Sequence, residues 1–313
     1  MFHNIMKILV TGSNGLVGMA IREESIYFDH EFIFATSADC DLTNYDATLR
    51  LFQEYKPECV LHLAANVGGL FKNMNDKVGM LEKNLIMNYN VVKCCYESGI
   101  MNAVCVLSTC IFPDKTSYPI NESMLHAGPP HDSNDAYAYA KRMMEIHCNA
   151  YNSQYKTNYS CIIPTNVYGK HDNYSLQDGH VIPSLIHKCY LAKCDDVDFE
   201  VRGTGKPMRQ FIYANNLAFI ILKLVGVLNK ESVIISDSVE YSIDSVARMI
   251  ARRFQYAHRL VYNDAFSDGQ YKKTADNTKL RSILPSVSFI DMETGIDETI
   301  SYFVDNYDNV RKG

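Results

Sequence analysis

Five short β-rich runs, MKILVTG, EFIFATS, ECVLHLAA, NAVCVLST and YSCIIPT, recur through the first half of the chain with amphipathic segments between them. The clearest of those segments is 77-KVGMLEKNLIMNYNVVKCCYESG-99, where apolar residues return at intervals of three and four. Strands that alternate with helices join by right-handed β-α-β crossovers. The pattern therefore predicts an α/β fold, a Rossmann-type doubly wound parallel sheet. Beyond about residue 166 it loosens, with Gly and Pro in 201-VRGTGKPMRQF-211 and several smaller elements, which predicts a smaller α/β lobe on the C-terminal side.

Directly after the first run comes 11-TGSNGLVG-18, which spaces Gly12, Gly15 and Gly18 three apart. A glycine loop that leaves a strand and opens a helix offers backbone N–H groups and a helix N-terminus to a pyrophosphate. This context predicts a dinucleotide cofactor. A carboxylate at the end of the second strand would select NAD through the ribose 2′-hydroxyl. That run ends in Ala35-Thr36-Ser37, without a carboxylate to repel a 2′-phosphate, so the expected cofactor is NADP(H), although no arginine stands there to grip the phosphate. Asp41, followed by Leu42, falls just beyond and either reaches the adenine or helps start the next helix.

Charge and composition narrow the remaining classes. A net charge of −6 and the absence of a basic run exclude a nucleic-acid surface. No apolar stretch approaches the roughly 20 residues of a membrane span. The start, MFHNIMKILVTG, runs into a strand rather than a cleavable signal, so a cytoplasmic protein is expected. The ten cysteines contain no C-x-x-C; Cys94 and Cys95 are adjacent in a helical stretch, and Cys105 and Cys161 sit in strand-like runs. Most are expected to be reduced core residues. The ten histidines show no spacing with cysteines that suits a metal, and none is expected.

The run 135-DAYAYAKRMMEIH-147 places Tyr137 and Lys141 on one helical face and turns Tyr139 elsewhere, where it is expected to pack. A nearby ammonium favours the phenolate and lowers a phenol's pKa from about 10. Upstream, NAVCVLS delivers Ser108 at a strand's C-terminal end, where open α/β sheets bind ligands. If that strand stays extended, Cys110 projects into the same pocket. Its thiol is then either a base or one more small buried cysteine. His180, in 179-GHVIPSLIHK-188, stands at the mouth of a helix, as an acid on the opposite face or as a capping residue. Arg209 is either a forked phosphate donor or an exposed loop arginine.

Glycine triplet, strand-end serine and Tyr-x-x-x-Lys, in this order, resemble the extended short-chain dehydrogenase/reductase family, whose members mostly act on nucleotide sugars. The resemblance implies that Tyr137 exchanges a proton with the reacting oxygen, Lys141 tunes it and binds the nicotinamide ribose, and Ser108 hydrogen-bonds that oxygen. Five further stretches are similar to the branch that inverts C3 and C5 of a GDP-4-keto-6-deoxy sugar and reduces C4 with NADPH. They are S-x-C-I-F-P from Ser108, 164-PTNVYGKHDN-173, G-H-V-I-P at His180, G-x-G-x-P-x-R at 203–209, and S-D-G-Q-Y-K-K-T at 267–274. Dehydratases place an acidic pair where Cys110 and Ile111 stand, so dehydration is disfavoured. The branch implies Cys110 as base and His180 as acid.

It further implies cofactor contacts at Ser13, Asn14, Leu16, Val17, Thr36, Asp41, Leu42, Ala64, Ala65, Pro164, Asn166, Val167 and His180, and a GDP-sugar held by Asn166, Lys188, Arg209, Asp268 and Lys273. The expected division is 1–165 with about 212–238 for NADP and 166–211 with 239–313 for the nucleotide sugar. The helices near 77–98 and 136–152 resemble those that pair in the family's homodimers.

Overall fold

The computed structural model describes residues 5–312 except 267 and 269, and of Phe71 the backbone only. The first half forms β1 (Lys7–Thr11), α1 (Leu16–Glu24), β2 (Glu31–Ala35), α2 (Tyr45–Tyr55), β3 (Cys59–His62), α3 (Leu70–Asn75), α4 (Lys77–Glu97), β4 (Asn102–Val106), α5 (Asp135–Tyr155) and β5 (Asn158–Pro164). Each expected strand is present, and the 3.6-residue pattern of 77–99 is α4. The second half continues with β6 (Asn166–Tyr168), α6 (Val181–Asp195), β7 (Phe199–Arg202), β8 (Met208–Arg209), β9 (Phe211–Tyr213), α7 (Ala214–Leu224) and β10 (Ser232–Ile235). It closes with β11 (Tyr241–Ser242), α8 (Ile243–Arg253), β12 (Leu260–Asn263), α9 (Thr278–Ile283) and α10 (Met292–Asp305).

Six strands build the central sheet in the order β10-β5-β4-β3-β1-β2, and every neighbouring pair is parallel. Strand order reverses beside β1, which opens the crevice where such sheets bind ligands at their C-terminal ends. Both faces are covered, which is why β1 and β3 read as continuous apolar runs rather than alternating ones. One core lies between the sheet and the α2, α4 and α5 side, around Phe52, Val91, Cys95 and Met144. The other takes in α1 and α7, with Ile21, Leu217 and Ile221 against Ile8, Val10 and Leu61. A third core joins Tyr174, Ile186, Phe199, Val246, Ile250 and Phe303, all from residues after 166.

All ten cysteines are free, and eight of them are buried. Cys105 and Cys161 sit side by side in the β4–β5 register, as members of the core. Tyr139, by contrast, was expected to pack and does not: it is exposed on α5, with the Arg142 guanidinium 5.7 Å from its ring centre. Its neighbours on that face are left uncovered within this chain.

Candidate active site

The glycine loop is shaped by contacts that admit no side chain. Gly12 has φ +70°, and a Cβ there would fall 2.7 Å from the Ala64 backbone after β3. A Cβ on Gly18 would fall 2.4 Å from the Gly12 carbonyl oxygen, so α1 and the loop touch backbone to backbone. Ser13 ties the loop to β2, its hydroxyl donating to the Ala35 carbonyl at 3.0 Å. Gly15 caps α1, whose first turn includes Leu16, Val17 and Gly18. The result brings exposed backbone and a helix N-terminus to the switch point of the sheet, which fits a pyrophosphate.

At the end of β2 the structure adds a group that the sequence reading did not weigh. A carboxylate does stand there: Asp39 folds back so that its Oδ2 accepts from the Thr36 amide at 2.8 Å and from the Thr36 hydroxyl at 2.7 Å. Three residues of turn carry it to a place that strand-end spacing does not reveal. Asp41 accepts from the amide and hydroxyl of Thr43, while Asn44 caps α2; Leu42 is buried.

β4 also ends earlier than expected. The strand does not stay extended to Cys110; it stops at Val106, and Ser108 opens a 3₁₀ turn over Thr109–Ile111. The Ser108 hydroxyl accepts from the Cys110 amide at 3.4 Å. The turn, not strand alternation, holds Cys110 beside Ser108. The segment after it is bound to the C-terminal lobe, since the Ile120 amide donates to the Thr274 carbonyl at 2.8 Å and that of Asp276 to Ile120. This pairing brings Lys273 into the electrostatic reach of Cys110. Burial pushes the Cys110 thiol up, and Lys273, a hydrogen bond with Ser108, and Lys141 pull against that rise.

α5 supplies the other two groups. Lys141, 1% exposed, donates from Nζ to the Val106 carbonyl at 2.8 Å and lies 5.8 Å from the Tyr137 ring centre. Burial lowers its pKa to about 8. Tyr137 moves opposite to the sequence expectation: burial raises its pKa, and Cys110 adds to the rise. In a desolvated pocket the charged phenolate is disfavoured. Below the pair, His62 is enclosed between Thr11 Oγ1 (2.8 Å) and Asn88 Oδ1 (3.1 Å) and stays neutral, since burial, and then Lys141, lowers its pKa to about 3. Sequence reading missed this buried chain, because nothing in the spacing of 11, 62 and 88 announces it.

Ser108, Cys110, Tyr137, Lys141 and Lys273 thus form one electrostatically linked group, to which Arg209 joins through Lys273. Arg209, on β8, donates to the carbonyls of Met208, Gln270 and Tyr271, and burial lowers its pKa. Asp268 receives the amide and hydroxyl of Thr204 at 2.7 and 2.6 Å; Ser267 and Gly269 of the same stretch lie outside the described residues. Asn166 donates to the Gln210 carbonyl across the β6–β9 pair, and Val167 follows it in β6, after Pro164 ends β5. Lys188 stands apart on α6, near Arg202 and Glu200 of β7.

His180 occupies the N-cap position of α6, makes no side-chain cap, and faces Asp172, Nδ1 to Oδ1 3.6 Å. Desolvation pulls its pKa down, the carboxylate of Asp172 outweighs this, and the net shift is upward. A separate cavity of about 600 Å³ is lined by Lys56, Glu58, Glu97 and Met101. It opens at the N-terminal ends of β3 and β4, away from the edge where such sheets bind ligands.

Among the described residues no group of His, Cys, Asp and Glu is placed to hold a metal, and no helix is long and apolar enough to cross a membrane. The model of the NAD dependent epimerase/dehydratase family matches residues 8–234. A GDP-L-fucose synthase of Dictyostelium discoideum is 47% identical over 311 residues, spanning 97% of each chain. A probable GDP-L-fucose synthase of Drosophila melanogaster is 46% identical, over 98% of this chain and 99% of that one. The crystal structure of a GDP-L-fucose synthetase from Naegleria fowleri bound to NADP superposes with a TM-score of 0.91 at 42% identity, over 97% of this chain and 94% of that one. With its parallel sheet, its glycine loop and the Ser108, Tyr137 and Lys141 cluster at the sheet's C-terminal edge, this chain belongs to the NAD dependent epimerase/dehydratase family.

Proposed function

We propose that this protein inverts GDP-4-keto-6-deoxy-D-mannose at C3 and C5 and reduces C4 with NADPH, giving GDP-L-fucose. The observation that carries the reading is Cys110, held by a 3₁₀ turn against Ser108 and within the field of Lys273 and Lys141, in a chain 47% identical to a GDP-L-fucose synthase. The C4 ketone acidifies the hydrogens on both C3 and C5, so one base and one acid serve both centres. Cys110 in its thiolate form, which Lys273, the Ser108 hydrogen bond and Lys141 favour against burial, takes the proton from one face, and protonated His180 returns one on the other. Ser108 and Tyr137 hydrogen-bond the C4 oxygen and spread the enolate charge. NADPH, bound along the glycine loop, supplies the hydride for C4. Tyr137, kept protonated by its raised pKa, donates to the C4 oxygen, and Lys141 orders the adjoining ribose.

The third core supports assigning 166–211 and 239–313 to the nucleotide sugar. The return of α7 and β10 to the first half supports placing 212–238 with the cofactor unit. Arg209, Lys273, Asn166, Asp268 and Lys188 are the sugar-nucleotide contacts in this reading. The ten unpaired thiols suit a reducing, cytoplasmic compartment. On α4 and α5 the exposed Val78, Ile86, Tyr89, Met143 and Ile146 support a homodimer through those helices.

The test is Cys110→Ser with the 4-keto sugar, NADPH and D₂O. Losing a positioned base costs about 10²- to 10⁴-fold. Deuterium entry at C3 and C5 is expected to collapse, while NADPH is still consumed and the product keeps the substrate's configuration at both carbons. Wild-type exchange at both carbons in the variant refutes the assignment.

A further inference from the structure

Asp172 presents a puzzle that the chemistry above does not use. It is 4% exposed, yet only one of its carboxylate oxygens is hydrogen-bonded: Oδ1 accepts from the Asn173 amide at 2.7 Å, and Oδ2 has no partner among the described residues. A buried carboxylate with an empty oxygen is costly and needs a reason. Among the described residues its one cationic neighbour at ion-pair distance is His180, Nδ1 to Oδ1 3.6 Å, whose side chain is 46% exposed.

We propose, resting on the epimerase reading, that Asp172 is the positioning residue for His180: it orients the ring through Nδ1 and leaves Nε2 as the proton-bearing atom toward the sugar. Other groups around the ring do not substitute for it. Arg311 opposes the charge on His180, while its guanidinium is held on the His171 carbonyl. Asp178 meets α3 through its backbone carbonyl, which accepts from the Gly69 amide, and Lys72 of α3 is bonded to the Val67 carbonyl. The loop 169–174 is itself pinned, with the Tyr174 hydroxyl donating to the Lys170 carbonyl at 3.0 Å and its amide to the Arg311 carbonyl at 2.8 Å. The carboxylate is therefore presented on a rigid support, and the base and acid of one reaction receive opposite neighbours: a lysine beside Cys110, an aspartate beside His180.

The experiment is Asp172→Asn, which removes the charge and keeps the shape, with Asp172→Ser as the second variant should the amide not fold. The His180 ring is titrated by NMR, and C3 and C5 deuterium exchange is followed from pH 5.5 to 9 in the wild type, the Asp172 variant, His180→Gln and the double variant. The His180 pKa is expected to fall by about 1–2 units, as loss of a neighbouring opposite charge does. The exchange optimum moves to lower pH with the KM for the sugar nucleotide unchanged, and Asp172→Asn costs nothing further in the His180→Gln background. An unchanged His180 pKa, an unmoved pH profile, or a further loss of exchange on adding Asp172→Asn to His180→Gln, as large as in the wild-type background, each overturns the proposal. Absence of exchange in the wild-type protein would overturn the epimerase reading instead, and the titration would still decide the pairing of Asp172 with His180.

Discussion

At the residue scale, the site works by opposing burial against charge. Tyr137 is driven upward by desolvation, so at neutral pH it holds its proton and serves as a donor. Tyr137→Phe removes that proton and little else; NADPH oxidation with the 4-keto sugar is expected to fall about 10²- to 10⁴-fold. Cofactor affinity and melting temperature should stay near wild type, and a variant that keeps most of its rate would place the acid elsewhere. Lys141 moves the other way, to about 8, because its ammonium is buried. The charged form exists below that value and disappears as the pH rises through it. Reduction is therefore expected to decline above about pH 8, read as the alkaline limb of kcat for NADPH oxidation.

At the element scale, two surfaces carry consequences. The α1 start is locked to the glycine loop through Gly18, whose added Cβ would meet only backbone, at 2.4 Å from the Gly12 oxygen and 2.5 Å from Ser13 Cα. Backbone cannot rotate away, so Gly18→Ala must displace the loop. Overpacking of this kind costs about 1–3 kcal/mol, or roughly 5- to 150-fold if it falls on NADPH affinity, measurable by fluorescence titration. The second surface is the outer face of α4 and α5. Tyr139, Met143 and Ile146 lie at helical spacing and all are 44–48% exposed, although Ala140, Met144 and Cys148 of the same helix are buried. On the proposed reading that this face pairs two copies, the wild type sediments as a dimer and Met143→Asp as a folded monomer in analytical ultracentrifugation; a monomeric wild type or an unchanged sedimentation coefficient rejects that interface.

At the scale of the whole molecule, the two halves are fastened at a charged junction. Glu23 of α1 accepts from Lys170 (2.7 Å), from His171 (2.8 Å) and from Asn215 of α7 (2.9 Å). Burial raises its pKa, but hydrogen bonds from Asn215, Lys170 and His171 outweigh it and bring the value to about 2. A carboxylate depressed in this way stabilises the fold above its unfolded pKa of about 4.5, and that contribution is lost as the pH falls toward 2. Glu23→Gln should lower the melting temperature at pH 7 and flatten its dependence on pH between those limits. Equal acid sensitivity in both proteins would show that other carboxylates govern it. His171 and Asp172 are consecutive, so this junction also anchors the loop that carries the His180 partner.

Local pattern was enough for the sheet, the glycine loop, α4 and α5, because strand and helix periods and a strand-glycine-helix junction are written in neighbouring residues. It was enough to gather Ser108, Tyr137 and Lys141 as well, since a strand end and one helical turn fix their relation. Where the reading failed, the cause was a turn or a solvent boundary. Asp39 reaches Thr36 by reversing the chain, β4 gives way to a 3₁₀ turn before Cys110, and Tyr139 is exposed because no element of this chain covers α5 there. The rise in the Tyr137 pKa, the approach of Lys273 to Cys110 and the facing of Asp172 by His180 depend on how far apart segments desolvate and charge one another. Periodicity records which side of an element is apolar; what a side chain meets across the pocket, and how much water is left around it, exists only once the two halves have closed on each other.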